Sequence, residues 1–272
     1  MYETLTTLPQ FGATLIRSLT VLGVCSVRLF VMLYLFPPTA EGILPGMVRN
    51  GMVLLFSSFI AYAQPVSLYS SLTGTSFFVI GLREAVIGLV LGFAASTVFW
   101  VAEGAGIYVD DLAGYNNVQI TNPLHEGQST PTGTLLLQVA GVAFWTFGGM
   151  TFLLGALYQS YHWWPLSAAT PVPANVLESF VLQQTDSLMQ TTAKLAAPML
   201  LMLLLADFAF GFAAKSAQKL ELMMLSQPVK GALTVMMLAL FVGIFVDEVR
   251  DQLVLSGLGE QFRMIVSALS KY

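Results

Sequence analysis

GQSTPTGTLLLQVAGVAFWTFGGMTFLLGALYQSYHWWPLSAATPVPANVL, residues 127–177, contains no aspartate, glutamate, lysine or arginine. Soluble domains carry about a quarter charged residues. The whole chain of 272 residues carries 10%, against 56% hydrophobic residues, and its mean hydropathy is +0.75. A dispersed soluble fold needs charge on its surface and keeps exposed apolar patches small. A chain built this way hides most of its exterior in lipid, in other subunits, or in both. Its fold class follows: all-α and integral to a membrane.

No Ser/Gly/Pro-rich or charged linker divides the sequence, so residues 1–272 read as one membrane domain. The net charge of −4 comes with no basic stripe to neutralise phosphates, which argues against a nucleic-acid partner. The one cysteine, Cys25, lies in an apolar run and reads as a small buried hydrophobe. The start, MYETLTTLPQF, has no basic residue before the apolar stretch and no small-residue cleavage pattern after it. It reads as an uncleaved segment.

Six apolar segments stand out, at residues 15–36, 46–63, 77–101, 133–158, 192–214 and 229–246. About 20 helical residues span the 30 Å hydrocarbon layer. Backbone groups in lipid must bond within their own segment, so these are expected to be helices. Three segments hold charges: Arg28 in the first, Arg83 and Glu84 in the third, Asp207 in the fifth. Such charges are costly in lipid and face protein or water. Assigning connections to alternate sides places Arg49, Lys215, Lys219 and Lys230 on one face. Arg17, Arg83, Lys194, Arg250, Arg263 and Lys271 fall on the other. That bias is too weak to fix topology. Either a segment is misassigned, or the helices form hairpins inside an assembly without simply alternating across a bilayer.

Glu84, Gly88 and Gly92 step by four and share one helix face, beside Arg83. The glycines permit close helix approach. The face either packs on a partner subunit, with Glu84 turned to it, or belongs to an ordinary close-packed helix whose charge snorkels at its end. Pro198 breaks a helical hydrogen bond, and Asp207, Gly211 and Lys215 repeat the four-residue step. Asp207 and Lys215 are two turns apart, so each needs a partner elsewhere; a proton-carrying carboxylate in a small-molecule transporter is the alternative. Residues 104–132 read as a long loop with Gly106, Asp110, Asp111, Gly114, Asn116, Asn117, Asn122 and Pro123. Gly, Asn and Pro punctuate irregular backbone. Such backbone is either an external solvated loop or lies against protein or a wet cavity. Trp163 and Trp164 resemble an interfacial anchor. The tail, residues 247–272, is amphipathic, with Leu253, Leu258, Phe262, Ile265 and Leu269 near helical spacing.

Nothing in the sequence points to catalysis. His125 and His162 have no metal-ligand spacing, and no nucleophile elbow, P-loop or dinucleotide fingerprint occurs. No catalytic residue, metal or cofactor is expected.

Taken in order, these motifs resemble the FliR/SctT family (also SpaR, EscT or YscT) of the type III secretion export apparatus. The features that carry the resemblance are Arg83-Glu84 followed by Gly88 and Gly92, then Asp110, Asp111, Gly114, Asn122-Pro123 and Thr130-Pro131-Thr132-Gly133. The last stretch is Ala197-Pro198, Asp207, Gly211, Lys215, Gln218 and Pro228-Val229-Lys230. Where the family often has arginine, this chain has Lys215; it also has Ala217-Gln218-Lys219-Leu220-Glu221-Leu222 in place of a Pro-Gln and Leu-Asn-Val-Phe pattern. That departure tilts the resemblance toward the injectisome branch. The resemblance implies bent helical hairpins within a multi-subunit helical assembly in the bacterial inner membrane. R-type and S-type subunits (FliP-like and FliQ-like) and the U-type switch subunit would be its partners. Unfolded secreted proteins would pass through the portal they form. It further implies that the loop at 104–132 plugs the closed channel, and that Arg83, Glu84, Gly88, Gly92, Pro198, Asp207, Gly211, Lys215, Gln218, Pro228 and Lys230 pack subunits together.

Overall fold

A 40-residue helix without proline, Gly74–Ala113, is the element against which most of the others pack. The computed structural model describes residues 2–65, 74–115, 120–121, 128–167, 174–216 and 222–253. Among these, the helices are α1 (Tyr2–Leu35), α2 (Gly46–Tyr62), α3 (Gly74–Ala113), α4 (Pro131–Thr146), α5 (Gly149–Trp163), α6 (Ala174–Ser216) and α7 (Leu222–Leu253). A 3₁₀ turn at Pro37–Thr39 ends α1. Its prolines cannot continue the helix, and Thr39 Oγ1 donates to the Leu33 carbonyl at 2.6 Å. Between α3 and α4, β1 (Ile120–Thr121) pairs antiparallel with β2 (Gln128–Ser129).

The protein is an all-α integral membrane protein. Among the described residues four helices are long and apolar enough to cross a bilayer, at Phe11–Leu35, Thr75–Ala113, Leu177–Lys215 and Leu225–Arg250, or five spans if the bent pair Pro131–Thr146 and Gly149–Trp163 makes one. The fourth expected segment, 133–158, is not one helix. It breaks between α4 and α5, which bend by 74°. Gly148 supplies the turn with φ +72°, a conformation that favours glycine. Gly149 lies against the Phe144 ring, with no room for a Cβ.

The sequence boundaries were too narrow. α6 begins at Ala174 and α7 extends from Leu222 to Leu253, so the start of the expected tail is helical; residues 254–272 lie outside the described residues. Pro228 lies inside α7. The largest correction is the expected loop at 104–132. Its first third is helical, because α3 continues to Ala113. Ala102, Ala105, Val109 and Ala113 are buried at helical spacing. Burial of that stripe outweighs the weak helix propensity of Gly and Asp. Asn116, Asn117, Asn122 and Pro123 lie outside the described residues.

α3 packs against α1, α4, α6 and α7. Its pairing with α1 is parallel and very close. Gly88 abuts the Arg28 carbonyl, and Gly92 has room for no more than contact with Met32 Cα at 3.2 Å. Ser96 Oγ donates to the Leu35 carbonyl at 3.2 Å. Gly106 meets Gly133 of α4 backbone to backbone. Gln184 bonds to Thr97 and Thr192 meets Gly104, so α6 runs parallel to α3. Phe36, Phe99 and Phe144 form an edge-on aromatic cluster with centroids 5.0 to 5.9 Å apart, joining the end of α1 to α3 and α4.

At 40 residues α3 is about 60 Å long, twice the hydrocarbon thickness. Fitting it wholly inside would need a tilt of about 60°, beyond the ordinary range of 0–40°. Part of α3 therefore stands outside the hydrocarbon layer.

Gly88→Leu and Gly106→Leu are expected to prevent folding, whereas Gly211→Leu is tolerated, because nothing lies within 4 Å of a Cβ there. Size-exclusion profiles of the detergent-extracted chain check this: the first two variants aggregate or fail to accumulate, and the third elutes like the parent.

Candidate functional site

The charges that look misplaced in the sequence meet at two junctions, both built on α3. The first lies where α1, α3 and α5 converge. Arg28 and Glu84 are each 0% exposed, with Arg28 Nη2 2.8 Å from Glu84 Oε2. Arg28 Nε donates to the same oxygen at 2.8 Å. Nη1 donates to Ser160 Oγ at 2.7 Å, and Nη2 to the Trp164 carbonyl at 3.0 Å. The guanidinium lies 3.8 Å from the Tyr161 ring centroid, a cation–π contact, and Tyr161 donates to the Cys25 carbonyl at 2.9 Å. Glu84 Oε1 accepts from Arg83 Nη2 at 3.1 Å. Arg83 Nη2 also reaches the Pro165 and Leu166 carbonyls at 3.2 and 3.0 Å. Two cations thus share one carboxylate, and Arg28 Nη1 and Nη2 and Arg83 Nη2 also reach α5 and the turn after it.

This corrects the sequence reading of Glu84, Gly88 and Gly92. The partner helix is α1 of the same chain, not a second subunit. Trp163 and Trp164 are half-buried, packed against the core.

The second junction lies at the C-terminal end of α3. Lys230 Nζ is 2.9 Å from Asp207 Oδ1, joining α7 to α6, and it donates to the Leu112 carbonyl at 2.8 Å. A cation at the last carbonyls of a helix satisfies orphan acceptors and the helix dipole together. Gly114 ends α3 at φ +86°, with Gln227 against it. Asp110, expected in a pore-facing loop, is 1% exposed. Its carboxylate accepts from Thr132 N at 2.7 Å and Thr132 Oγ1 at 2.5 Å. It therefore caps α4, as acids at helix N-termini do. Gly106 serves helix packing, as described above. Asp111 alone of that group is exposed on α3.

Of the remaining predicted residues, Pro198 is half-buried in α6, while Gly211, Lys215 and Pro228 are exposed. Gln218 lies outside the described residues. Sequence reasoning gave Arg28 no role, although a lone arginine in an apolar segment was the signal. Ser160 and Tyr161 left no signal, since a hydroxyl inside an apolar helix looks like filler.

Fixed ion pairs between helices and apolar faces left outside are the marks of a helical membrane component. Residues 19–255 match the family described as bacterial export proteins, family 1. The chain belongs to that family, the FliR/SctT proteins of type III export. It is 30% identical to secretion system apparatus protein SsaT of Salmonella typhimurium over 227 residues, 81% of this chain and 86% of that protein. It is 29% identical to Yop proteins translocation protein T of Yersinia pestis over 215 residues, 79% and 82% of the two chains. With flagellar biosynthetic protein FliR of Bacillus subtilis the identity is 22% over 176 residues, 64% and 68%.

Breaking a buried ion pair typically costs 3–5 kcal/mol, whereas replacing both partners with apolar groups is often neutral. Arg28→Met leaves Glu84 paired with Arg83 alone and is expected to lower the unfolding midpoint. Because removing Glu84 as well strands Arg83, recovery to near the parent midpoint is expected only when Arg28→Met, Glu84→Met and Arg83→Met are combined. Thermal unfolding in detergent, run across the single and combined variants, measures the difference. Asp110→Ala should cost about 1–3 kcal/mol by stranding the α4 donors, read the same way.

Proposed function

We propose that this chain is a core subunit of the export gate in a bacterial inner membrane. It would join R-type and S-type subunits (FliP-like and FliQ-like), with the U-type switch subunit nearby, to form the portal for unfolded substrates. The observation that supports this most is an imbalance of burial. In the apolar windows, 67% of α3 is buried within the chain, but only 17% of α6 and 22% of α7. The outer side of α6 also carries charge and a small residue: Asp207 with its side chain 42% exposed, and the open Gly211 and exposed Lys215. Acyl chains alone are a poor cover for such a face. Protein neighbours are a good one, since an open glycine admits a close helix.

The same reading assigns subunit packing to Asp207, Gly211, Lys215, Gln218 and Pro228 on the outer hairpin. Lys230, Arg83, Glu84, Gly88, Gly92 and Pro198 support it from inside. The channel plug is proposed for the connection from Gly114 to Thr130, since α3 and the α4 cap already employ Gly106 and Asp110. Higher identity to the two secretion proteins than to the flagellar one favours the injectisome branch. The transporter alternative has less support: Asp207 is engaged by Lys230, and the family is one of export proteins.

Gly211→Leu is the discriminating variant. It is expected to leave the chain folded yet to abolish co-purification with R- and S-type subunits, measured by native mass after mild-detergent extraction. Unchanged complexes would remove the packing proposal. Deleting residues 116–119 and 122–127 is expected to make the assembled closed gate leak ions, read as membrane conductance; an ion-tight gate would count against the plug.

A further inference from the structure

A narrow slot opens between α6 and α7, floored by Ala105 of α3 and Leu136 of α4 and walled by Pro198, Leu238, Phe241 and Val242. Its volume is about 140 Å³ and its lining is almost wholly apolar. Lys194 stands at its edge. This lysine is exposed, and among the described residues no hydrogen bond or ion pair engages its ammonium. Pro198, four residues on, has no N–H to give the Lys194 carbonyl, so the polar character at this edge is doubled.

The depth of that edge can be read from both helices. α6 is polar before Lys194, with Gln190, Thr191 and Thr192, and apolar after it from Leu195 to Ala206. α7 returns antiparallel and changes from apolar to charged at Asp247 and Glu248. The polar boundary therefore falls at the same end of the slot on both walls. Lys194 and Lys215 lie about 32 Å apart along α6, the thickness of the hydrocarbon layer. Lysines at such positions reach the headgroup level.

We propose that the slot holds the headgroup-proximal stretch of one acyl chain of a membrane phospholipid, about six carbons by its volume, with the headgroup phosphate on Lys194. A helix is 10–12 Å across with its side chains and cannot enter a slot of this volume; a polymethylene chain can. The exposed ammonium complements a phosphate at the right depth, and the apolar walls complement the tail. The site lies apart from both ion junctions, and the proposal does not depend on which subunits surround the chain.

The test uses the chain in native membranes or in its purified complex, with a phospholipid carrying a diazirine on its acyl chain. After irradiation, adducts are mapped by peptide mass spectrometry. Leu238, Phe241 and Val242 are expected to be labelled at least about fivefold above Val235 and Leu240, which lie outside the slot and are exposed to any annular lipid. Lys194→Ala, which removes no packing, should bring the slot labelling down to that background, and Lys194→Arg should retain it. Equal labelling inside and outside, or a Lys194→Ala chain labelled like the parent, overturns the proposal. So does a benzophenone side chain at Val242 that cross-links to another polypeptide.

Discussion

Arg28 and Glu84 are separated by 56 residues and are both wholly inside the protein. Neither would be tolerable alone, because an unpaired buried charge costs many kcal/mol. Together they are bearable only in one geometry: α1 and α3 parallel, near enough for Gly88 to lie on the Arg28 carbonyl, with α5 bringing Ser160 and the Trp164 carbonyl to the spare donors. The ion pair need not be a net source of stability. Its force is that other registers of the same greasy helices leave a charge in a dry place. Apolar helices pack promiscuously; one obligate polar contact among three of them removes most of the alternatives.

α3 is secured in the same way at its far end. Lys230 closes on the Leu112 carbonyl while holding Asp207, and Asp110 reaches across to cap α4. These buried charges thus mark joints between elements: the carboxylates of Glu84 and Asp110 and the guanidinium of Arg28 are each held by fixed partners.

The helical, membrane-embedded class was legible from hydropathy, because a stretch such as 127–177 has no other physical home. Helix ends were less legible. α6 and α7 run beyond their apolar segments since tertiary packing, not hydropathy, sets where a helix stops. The stretch from Gly104 to Ala113 misled for a definite reason. Its Gly and Asp content suggests loop, while the buried stripe Ala102, Ala105, Val109 and Ala113 makes a helix, and alanine is too small to stand out in a hydropathy reading. The four-residue step of Glu84, Gly88 and Gly92 was seen, but its partner was not, because a glycine face is the same whether the approaching helix belongs to the chain or to another subunit. Arg28 could have settled the matter. One unexplained cation and one unexplained carboxylate in neighbouring apolar segments are each other's simplest partners.

That rule also sorts what remains. Arg28, Arg83, Glu84 and Asp110 are used up inside the chain, whereas α6 keeps Lys194, Asp207 and Lys215 in view beside Leu201, Leu205, Phe208 and Phe212. A surface wholly for lipid would be apolar throughout, and one wholly for water would not carry those side chains. A mixed surface of this kind is satisfied piece by piece: headgroups at the level of Lys194, acyl chains beside the exposed leucines, and another polypeptide where Gly211 leaves the backbone open. The inner half of the protein is therefore determined by its own sequence, and the outer half takes its cover from the surroundings in which it assembles.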